Sequence, residues 1–168
     1  SAASDVYKRQ ADIGFCMLND LSELTPETIA RAPLLEDFFE ADEWGGVNQA
    51  YDLGEGIIGA LGHIACRDSA GISHYYSMAF GYDICNGHFT SPQILCDRAC
   101  FPEFPEKSAA LRDILFTAGA ERAEGEWLVL YTGISDTRVG RAGCEKPVYR
   151  YKEGTQILAE VRQTGNRS

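Results

Sequence analysis

Short apolar runs separated by turn-forming residues dominate the sequence from about position 46 onward. The first four runs lie at 46–53, 57–67, 74–85 and 91–98. Gly, Asp and Asn residues interrupt the chain between them, as they do in turns between strands. In the third run, Met78, Phe80 and Tyr82 alternate with small or polar residues, which is the period of a pleated strand. This part of the chain therefore predicts four strands.

A second group of strands is predicted after a proline-containing link at 101–107. The expected elements are strands at 111–121 and 127–135, a turn or short strand at 138–143, and two further strands at 148–151 and 156–161, the last of which is also compatible with a helix. The segment GALGHIA at 59–65 is similar to LYTGISD at 130–136, because both are apolar stretches with the same order of Gly and Ile near the end. Repeats of four antiparallel strands are typical of propeller blades. The alternative is an ordinary β-sandwich with a coincidental internal similarity.

One short helix is predicted before the strands, within residues 21–32. Thr25 can cap it, Pro26 suits its first position, and Pro33 ends it. Residues 1–10 resemble translated adapter sequence and are expected to be non-native. The expected organisation is therefore a non-native segment at 1–10, the end of a preceding blade with a short helix at 11–45, one blade at 46–100, a last blade at 108–162 and a frayed tail at 163–168.

The charge balance of the 168-residue chain is acidic, with 15 Lys and Arg against 25 Asp and Glu and a formal net charge of −10. This disfavours nucleic acid and anionic membrane surfaces as partners. No apolar run approaches the roughly 20 residues of a membrane span. None of the six cysteines forms a C-x-x-C pair, so we expect no structural metal and reduced, mostly buried thiols in a cytoplasmic protein.

Several blocks of the sequence resemble a bacterial and protist family, the domain of unknown function 1861. These blocks are 14–15, 21–24, 43–48 (EWGGVN), 61–65 (LGHIA), 74–80 (HYYSMAF), 101–102, 111–116 (LRDILF) and 130–136 (LYTGISD). The resemblance implies a five-bladed β-propeller related in shape to the propeller glycosidases. It further implies that this chain holds the last two blades and part of a third, and that the chain alone is inactive.

A weaker similarity links two of these blocks to glycoside hydrolase family 130, the β-mannoside phosphorylases and hydrolases. Gly62–His63 is similar, in reversed order, to a His-Gly pair of that family, and the 133–136 segment is similar to its Gly-x-x-Asp strand end. This similarity implies that His63 helps to hold phosphate and that Asp136 contacts the sugar.

Two carboxylates are the candidate catalytic residues, because glycoside cleavage needs an acid and a base or nucleophile. Asp113 is expected to open the innermost strand of the last blade; alternatively it pairs with Arg112 or Arg122 at the surface. Glu43 is the last residue of an acidic stretch at 36–43, and the alternative is that it is only the solvated end of that stretch.

Five residues are the candidates for substrate binding: His63, Asp136, Asn48, Trp44 and Arg98. The alternatives are a core histidine for His63, a turn residue for Asp136, and packing between blades for Trp44. Arg98 is alternatively a salt-bridge partner between blades, which is the interpretation we prefer.

The neighbours Tyr75 and Tyr76 open a predicted strand, so they face opposite sides and at most one of them can be a platform for a sugar. We therefore expect a carbohydrate ligand and hydrolysis or phosphorolysis of a glycosidic bond, with inorganic phosphate as a candidate co-substrate and no other cofactor. The alternatives are a propeller that binds carbohydrate without cleaving it and a scaffold for protein contacts. If His63, Asp113 and Asp136 do not converge, both enzyme interpretations fail as far as these three residues are concerned.

Overall fold

Eight strands in two antiparallel sheets form the framework of the computed structural model, which describes residues 12–125 and 127–147. The first sheet contains β1 (Glu43–Gly54), β2 (Ile57–Arg67), β3 (Ser73–Asp83), β4 (His88–Phe89) and β5 (Gln93–Cys96). Both β4 and β5 pair with β3. The second sheet contains β6 (Leu115–Arg122), β7 (Trp127–Ile134) and β8 (Arg138–Glu145), in that order.

The segment before β1 carries helix α1 (Pro26–Arg31) and covers one face of the first sheet. The Thr25 hydroxyl accepts a hydrogen bond of 3.2 Å from the backbone N–H of Thr28, so the predicted cap is confirmed. Ile13 and Phe38 come from this segment and pack with Met78 and Phe80 of β3 in one buried cluster. Burial of these apolar side chains fixes the segment to the sheet.

A second buried cluster lies between the two sheets. It brings Leu61 and Ala79 of the first sheet against Leu115, Leu130 and Ile134 of the second. Strand β3 is therefore buried on both faces, Met78 in the first cluster and Ala79 in the second. The predicted alternation along β3 is correct, but small side chains alternate with large ones because both faces are covered.

Several predicted boundaries differ from the structure. The strand predicted at 111–121 begins at Leu115, since Ala109–Leu111 form a 3₁₀ turn. The strand predicted at 91–98 is shorter, because Asp97 caps a second 3₁₀ turn at Arg98–Cys100. The segment predicted as a turn or short strand at 138–143 is the full strand β8. The segments at 1–10, 148–151, 156–161 and 163–168 lie outside the described residues.

The six cysteines are free thiols, but the prediction that most are buried is wrong. Only Cys96 is buried, whereas Cys16, Cys85 and Cys100 are exposed. Cys96 lies on β5, inside the cluster between the sheets, and the exposed three lie in loops or turns. No helix within residues 12–125 and 127–147 has the length and apolar character needed to cross a membrane.

Candidate functional site

One end of the first sheet gathers most of the candidate residues. Because β1, β2 and β3 are antiparallel, the start of β1, the end of β2 and the start of β3 lie side by side, with Trp44 opposite Ala65 and Ala65 opposite Tyr75. Tyr75 also bridges Ile114 in parallel, and its N–H donates to the Asp113 carbonyl at 3.0 Å. The segment leading into β6 is thereby joined to this end of the sheet.

His63 is held by Asn48, the residue that follows Val47 in the EWGGVN segment. The register of β1 against β2 shifts between Val47 and Gln49, so Asn48 is the extra residue of a β-bulge. Its Oδ1 lies 3.0 Å from His63 Nδ1. Bulges turn side chains out of the regular pleat, and here the bulge turns Asn48 toward the imidazole.

Close backbone approach around the bulge requires glycine. A Cβ on Gly62 would meet the Gly46 carbonyl oxygen at 1.9 Å, and one on Gly45 would meet the His63 carbonyl oxygen at 2.2 Å. Gly46 lies against the edge of the His63 ring, where a Cβ would meet Cε1 at 3.4 Å. Sheet geometry next to His63 therefore requires glycine at positions 45 and 62.

Aromatic rings surround the imidazole. His63 stacks on Tyr75 with ring centroids 5.7 Å apart, and Phe116 of β6 covers it at 4.7 Å. The Trp44 indole N–H donates to the Tyr75 hydroxyl at 3.2 Å and meets that ring edge-on. Burial lowers the pKa of His63, because the charged form loses hydration. The ring is therefore neutral at pH 7, suited to exchange hydrogen bonds with hydroxyls and poorly suited to hold phosphate by charge.

Asp113 lies just before β6, rather than opening the strand as predicted, and its carboxylate accepts two hydrogen bonds. His74 Nδ1 lies 2.6 Å from Oδ2, and the Tyr76 hydroxyl donates to the same oxygen at 2.9 Å. The predicted alternative, a surface pair with an arginine, is wrong, because two side chains of β3 take that place. The carboxylate raises the pKa of His74 through this hydrogen bond. The pKa of Tyr76 is about 12, chiefly because of burial and then because of Asp113.

Glu43 begins β1 beside an open groove of about 850 Å³. Its carboxylate accepts a hydrogen bond of 3.0 Å from the Glu40 N–H. Trp44 and Tyr75 line the groove together with the segment 34–42 before β1, which contributes both carboxylates and apolar side chains. Glu43 is thus at the same end of the sheet as Asp113, opposite Cys66 and two strands from His74.

Asp136 and Arg98 have other partners. Asp136 occupies the turn between β7 and β8 with a positive φ of 52°. Its carboxylate pairs with Lys107 at 2.6 Å, and 67% of the side chain is exposed.

Arg98 is only 7% exposed. Its guanidinium donates to the Ser135 hydroxyl and to the carbonyls of Phe101 and Pro102. The structure therefore brings Glu43, Trp44, Asn48, His63 and Asp113 to one end of the sheet, whereas Arg98 ties a loop to the last sheet. Within residues 12–125 and 127–147 no side-chain contact joins Asp136 to His63 or Asp113, so the convergence of these three residues is not found.

The sequence analysis did not identify His74 as a site residue, and it did not predict the hydrogen bond between Tyr76 and Asp113. The available signal was the His-x-Tyr spacing at the start of a strand, which places both side chains on one face. Asp68, whose Oδ2 lies 3.4 Å from His74 Nε2, was also missed. Its side chain accepts hydrogen bonds from Ala70 and Ile72 in the β2–β3 turn, and nothing in that local pattern indicates the contact with His74.

The fold and this cluster define an all-β chain with two stacked antiparallel sheets of the kind that form propeller blades. The chain belongs to the family described as protein of unknown function (DUF1861), whose match covers residues 4–150. No curated protein matches the chain significantly.

Three solved structures are similar to this chain. A mannose phosphorylase from Leishmania mexicana in complex with phosphate ion is 33% identical, with a TM-score of 0.72 over 80% of this chain and 43% of the other. A GDP-Man-dependent mannosyltransferase from Leishmania mexicana is 31% identical, with a TM-score of 0.74 over 88% and 48%. A hypothetical protein from Leishmania major is 34% identical, with a TM-score of 0.73 over 83% and 45%.

These similarities and the two antiparallel sheets confirm the predicted fold class, all-β and part of a β-propeller, over the sandwich alternative. The chain spans less than half the length of each of the three structures.

Proposed function

We propose that this chain supplies one wall of the sugar site of an enzyme that cleaves a mannosidic bond by phosphorolysis. The observation that carries the proposal is that a fixed carboxylate, Asp113, and the ring cluster of Trp44, His63 and Tyr75 lie at the same end of the sheet. They lie on opposite faces of β3 and are joined through the hydrogen bond from the Tyr75 N–H to the Asp113 carbonyl. Carboxylates take hydrogen bonds from sugar hydroxyls, and aromatic rings pack against the apolar face of a sugar. The 33% identity to a mannose phosphorylase supports mannose as the sugar.

The two carboxylates at this end have different roles in the proposal. Asp113 already accepts two hydrogen bonds, so it acts as an acceptor that binds sugar hydroxyls and stabilises positive charge at the anomeric carbon in the transition state. Glu43 is the candidate proton donor. Two strand spacings, roughly 10 Å, separate its backbone from that of His74.

In phosphorolysis, the bond between the anomeric carbon and the leaving oxygen breaks, and the leaving oxygen takes the proton of the acid. A phosphate oxygen forms the new bond to the anomeric carbon, giving mannose 1-phosphate and the released sugar. His63, with Nδ1 on Asn48, presents Nε2 for a hydrogen bond with a hydroxyl of the bound sugar or phosphate. Arg98 has no place in this proposal, because its nitrogens are bound within the fold.

Mannosyl transfer is the second candidate function, favoured by the 31% identity to a GDP-Man-dependent mannosyltransferase. The same wall would then hold the mannosyl group while a sugar hydroxyl replaces phosphate as the acceptor. Phosphate dependence separates the two reactions.

The two tryptophans allow a direct test of the binding wall with the chain itself. Trp44 lies in the ring cluster, whereas Trp127 is half-exposed on β7 of the other sheet. Mannose 1-phosphate added to ¹⁵N-labelled chain is expected to shift the Trp44 indole resonance and leave that of Trp127 unchanged. Equal shifts of both resonances, or none, would count against a sugar site here.

Turnover is tested with the protein encoded by the whole reading frame that contains this chain. Mannose disaccharides are expected to yield mannose 1-phosphate only when inorganic phosphate is present, followed by ³¹P NMR. Release of free mannose without phosphate would indicate hydrolysis. A longer mannoside formed together with GDP from GDP-mannose and a mannose acceptor, without phosphate, would indicate transfer. Binding without any turnover would favour the non-catalytic carbohydrate-binding alternative.

A further inference from the structure

The Asp113 carboxylate is held through one oxygen only. Oδ2 accepts hydrogen bonds from His74 Nδ1 at 2.6 Å and from the Tyr76 hydroxyl at 2.9 Å. Oδ1 has no hydrogen-bond partner among residues 12–125 and 127–147. The side chain is 30% exposed. A carboxylate fixed in this way cannot rotate without losing two hydrogen bonds, and it presents its other oxygen in one direction.

The two donors are themselves fixed by the sheet. His74 and Tyr76 are alternate residues of β3 and therefore share a face, and Tyr76 packs against the buried cluster that includes Ile64 and Met78. His74 is also braced by Asp68, whose carboxylate lies 3.4 Å from Nε2. Strand β3 therefore supplies both hydrogen-bond donors to Asp113, which lies in the irregular segment before β6.

We infer that His74 and Tyr76 are positioning residues that orient the Asp113 carboxylate so that Oδ1 faces a hydroxyl of the bound sugar. This inference rests on the proposed function. Neither residue needs to touch the ligand, because their effect acts through the direction of Oδ1. Catalytic and binding groups must hold their productive geometry closely, and a second layer of hydrogen bonds is what holds them.

Paired substitutions separate the contact to Asp113 from the contact to Asp68. In His74→Asn the amide nitrogen occupies the place of Nδ1 and can still donate to Asp113. In His74→Gln the amide lies near the place of Nε2, toward Asp68. Tyr76→Phe removes only the hydroxyl donor to Asp113, and Asp68→Asn alters only the outer contact.

Affinity for mannose 1-phosphate, read at the Trp44 indole of the full chain, is the measurement. Loss of one orienting hydrogen bond of about 1 kcal/mol corresponds to roughly a fivefold weaker affinity. We expect weakening of that order for His74→Gln and Tyr76→Phe, with wild-type affinity in His74→Asn and Asp68→Asn. Rescue by Asn but not by Gln is a result that a merely structural role of His74 would not produce.

Two results would overturn the inference, and they differ. Wild-type affinity in both His74→Gln and Tyr76→Phe would remove the positioning role while leaving the proposed function intact. No Trp44 response in the wild-type chain would remove the sugar site and the positioning role together. Melting temperatures of all four variants identify any that fail to fold, and Tyr76→Phe retains the ring that packs on the core.

Discussion

The side chains of Asn48 and His63 meet with 3.0 Å between Oδ1 and Nδ1, although the two residues lie 15 positions apart on neighbouring strands. The contact exists because β1 bulges at Asn48 while β2 continues its regular pleat. Burial keeps the imidazole neutral, and the amide oxygen accepts its Nδ1–H. The bulge thereby fixes both the orientation of His63 and the nitrogen that carries the proton.

Replacement of Asn48 by Asp is expected to raise the pKa of His63. Burial lowers that pKa in the wild type, and a carboxylate 3.0 Å away would stabilise the protonated ring instead. Imidazole NMR resonances followed against pH give the midpoint. Asn86→Asp, in the β3–β4 turn, is the matched control and is expected to leave His63 unchanged. A His63 midpoint that stays at its wild-type value in Asn48→Asp would contradict the assigned contact.

Gly62→Ala is expected to destabilise the fold, because the new Cβ would lie 1.9 Å from the Gly46 carbonyl oxygen. Backbone must move to relieve this overlap, so a loss of about 1–3 kcal/mol or more is expected. Urea unfolding measures it. Gly143→Ala on β8 is the control, since its nearest atom, Trp127 Cε3, lies at an ordinary 3.8 Å. Equal stability of the two variants would show that β1 and β2 approach less closely than the structure indicates.

The strands were predictable from sequence because their apolar runs and turn residues are local signals. The end of the sheet that carries the site was partly predictable: Asn48 and His63 were identified, but their contact depends on a bulge that has no signature beyond the two preceding glycines. The partners of Asp113 were not predictable, because they join residues 37 and 39 positions apart. Arg98 was predicted as a candidate binding residue, but the loop that follows it buries its side chain and takes up its hydrogen bonds.

The hydrogen bond from His74 to Asp113 predicts how stability depends on pH. It raises the pKa of His74 above its usual 6.5 in the folded protein, so the protonated ring favours folding. This contribution is fully present below pH 6.5 and is lost as the pH rises through the folded pKa. His63 has the opposite sign, because its lowered pKa makes acid destabilising. The difference in free energy of unfolding between wild type and His74→Asn isolates the His74 contribution.

That difference is expected to shrink as the pH is raised from 6 to 9, measured by urea unfolding at each pH. Asp113→Asn is expected to lower the His74 midpoint by more than Asp68→Asn does, because Asp113 lies closer at 2.6 Å against 3.4 Å. If Asp68→Asn lowered the His74 midpoint by more than Asp113→Asn, Asp68 and not Asp113 would be the stronger partner of His74.

Arg98→Met is expected to destabilise the protein by about 1–3 kcal/mol, because the carbonyls of Phe101 and Pro102 would lose the charged donor that the buried Arg98 supplies. Arg98→Lys would recover only part of this, since one ammonium cannot reproduce the planar geometry that reaches three acceptors. Arg138→Met is the control: its guanidinium also lies over the Phe104 ring, at 5.1 Å against 4.5 Å for Arg98, but it is exposed on β8. Urea unfolding is measured with and without phosphate. If Arg98 held an anion, phosphate would stabilise the wild type and not Arg98→Met; a structural role predicts the same phosphate effect in both.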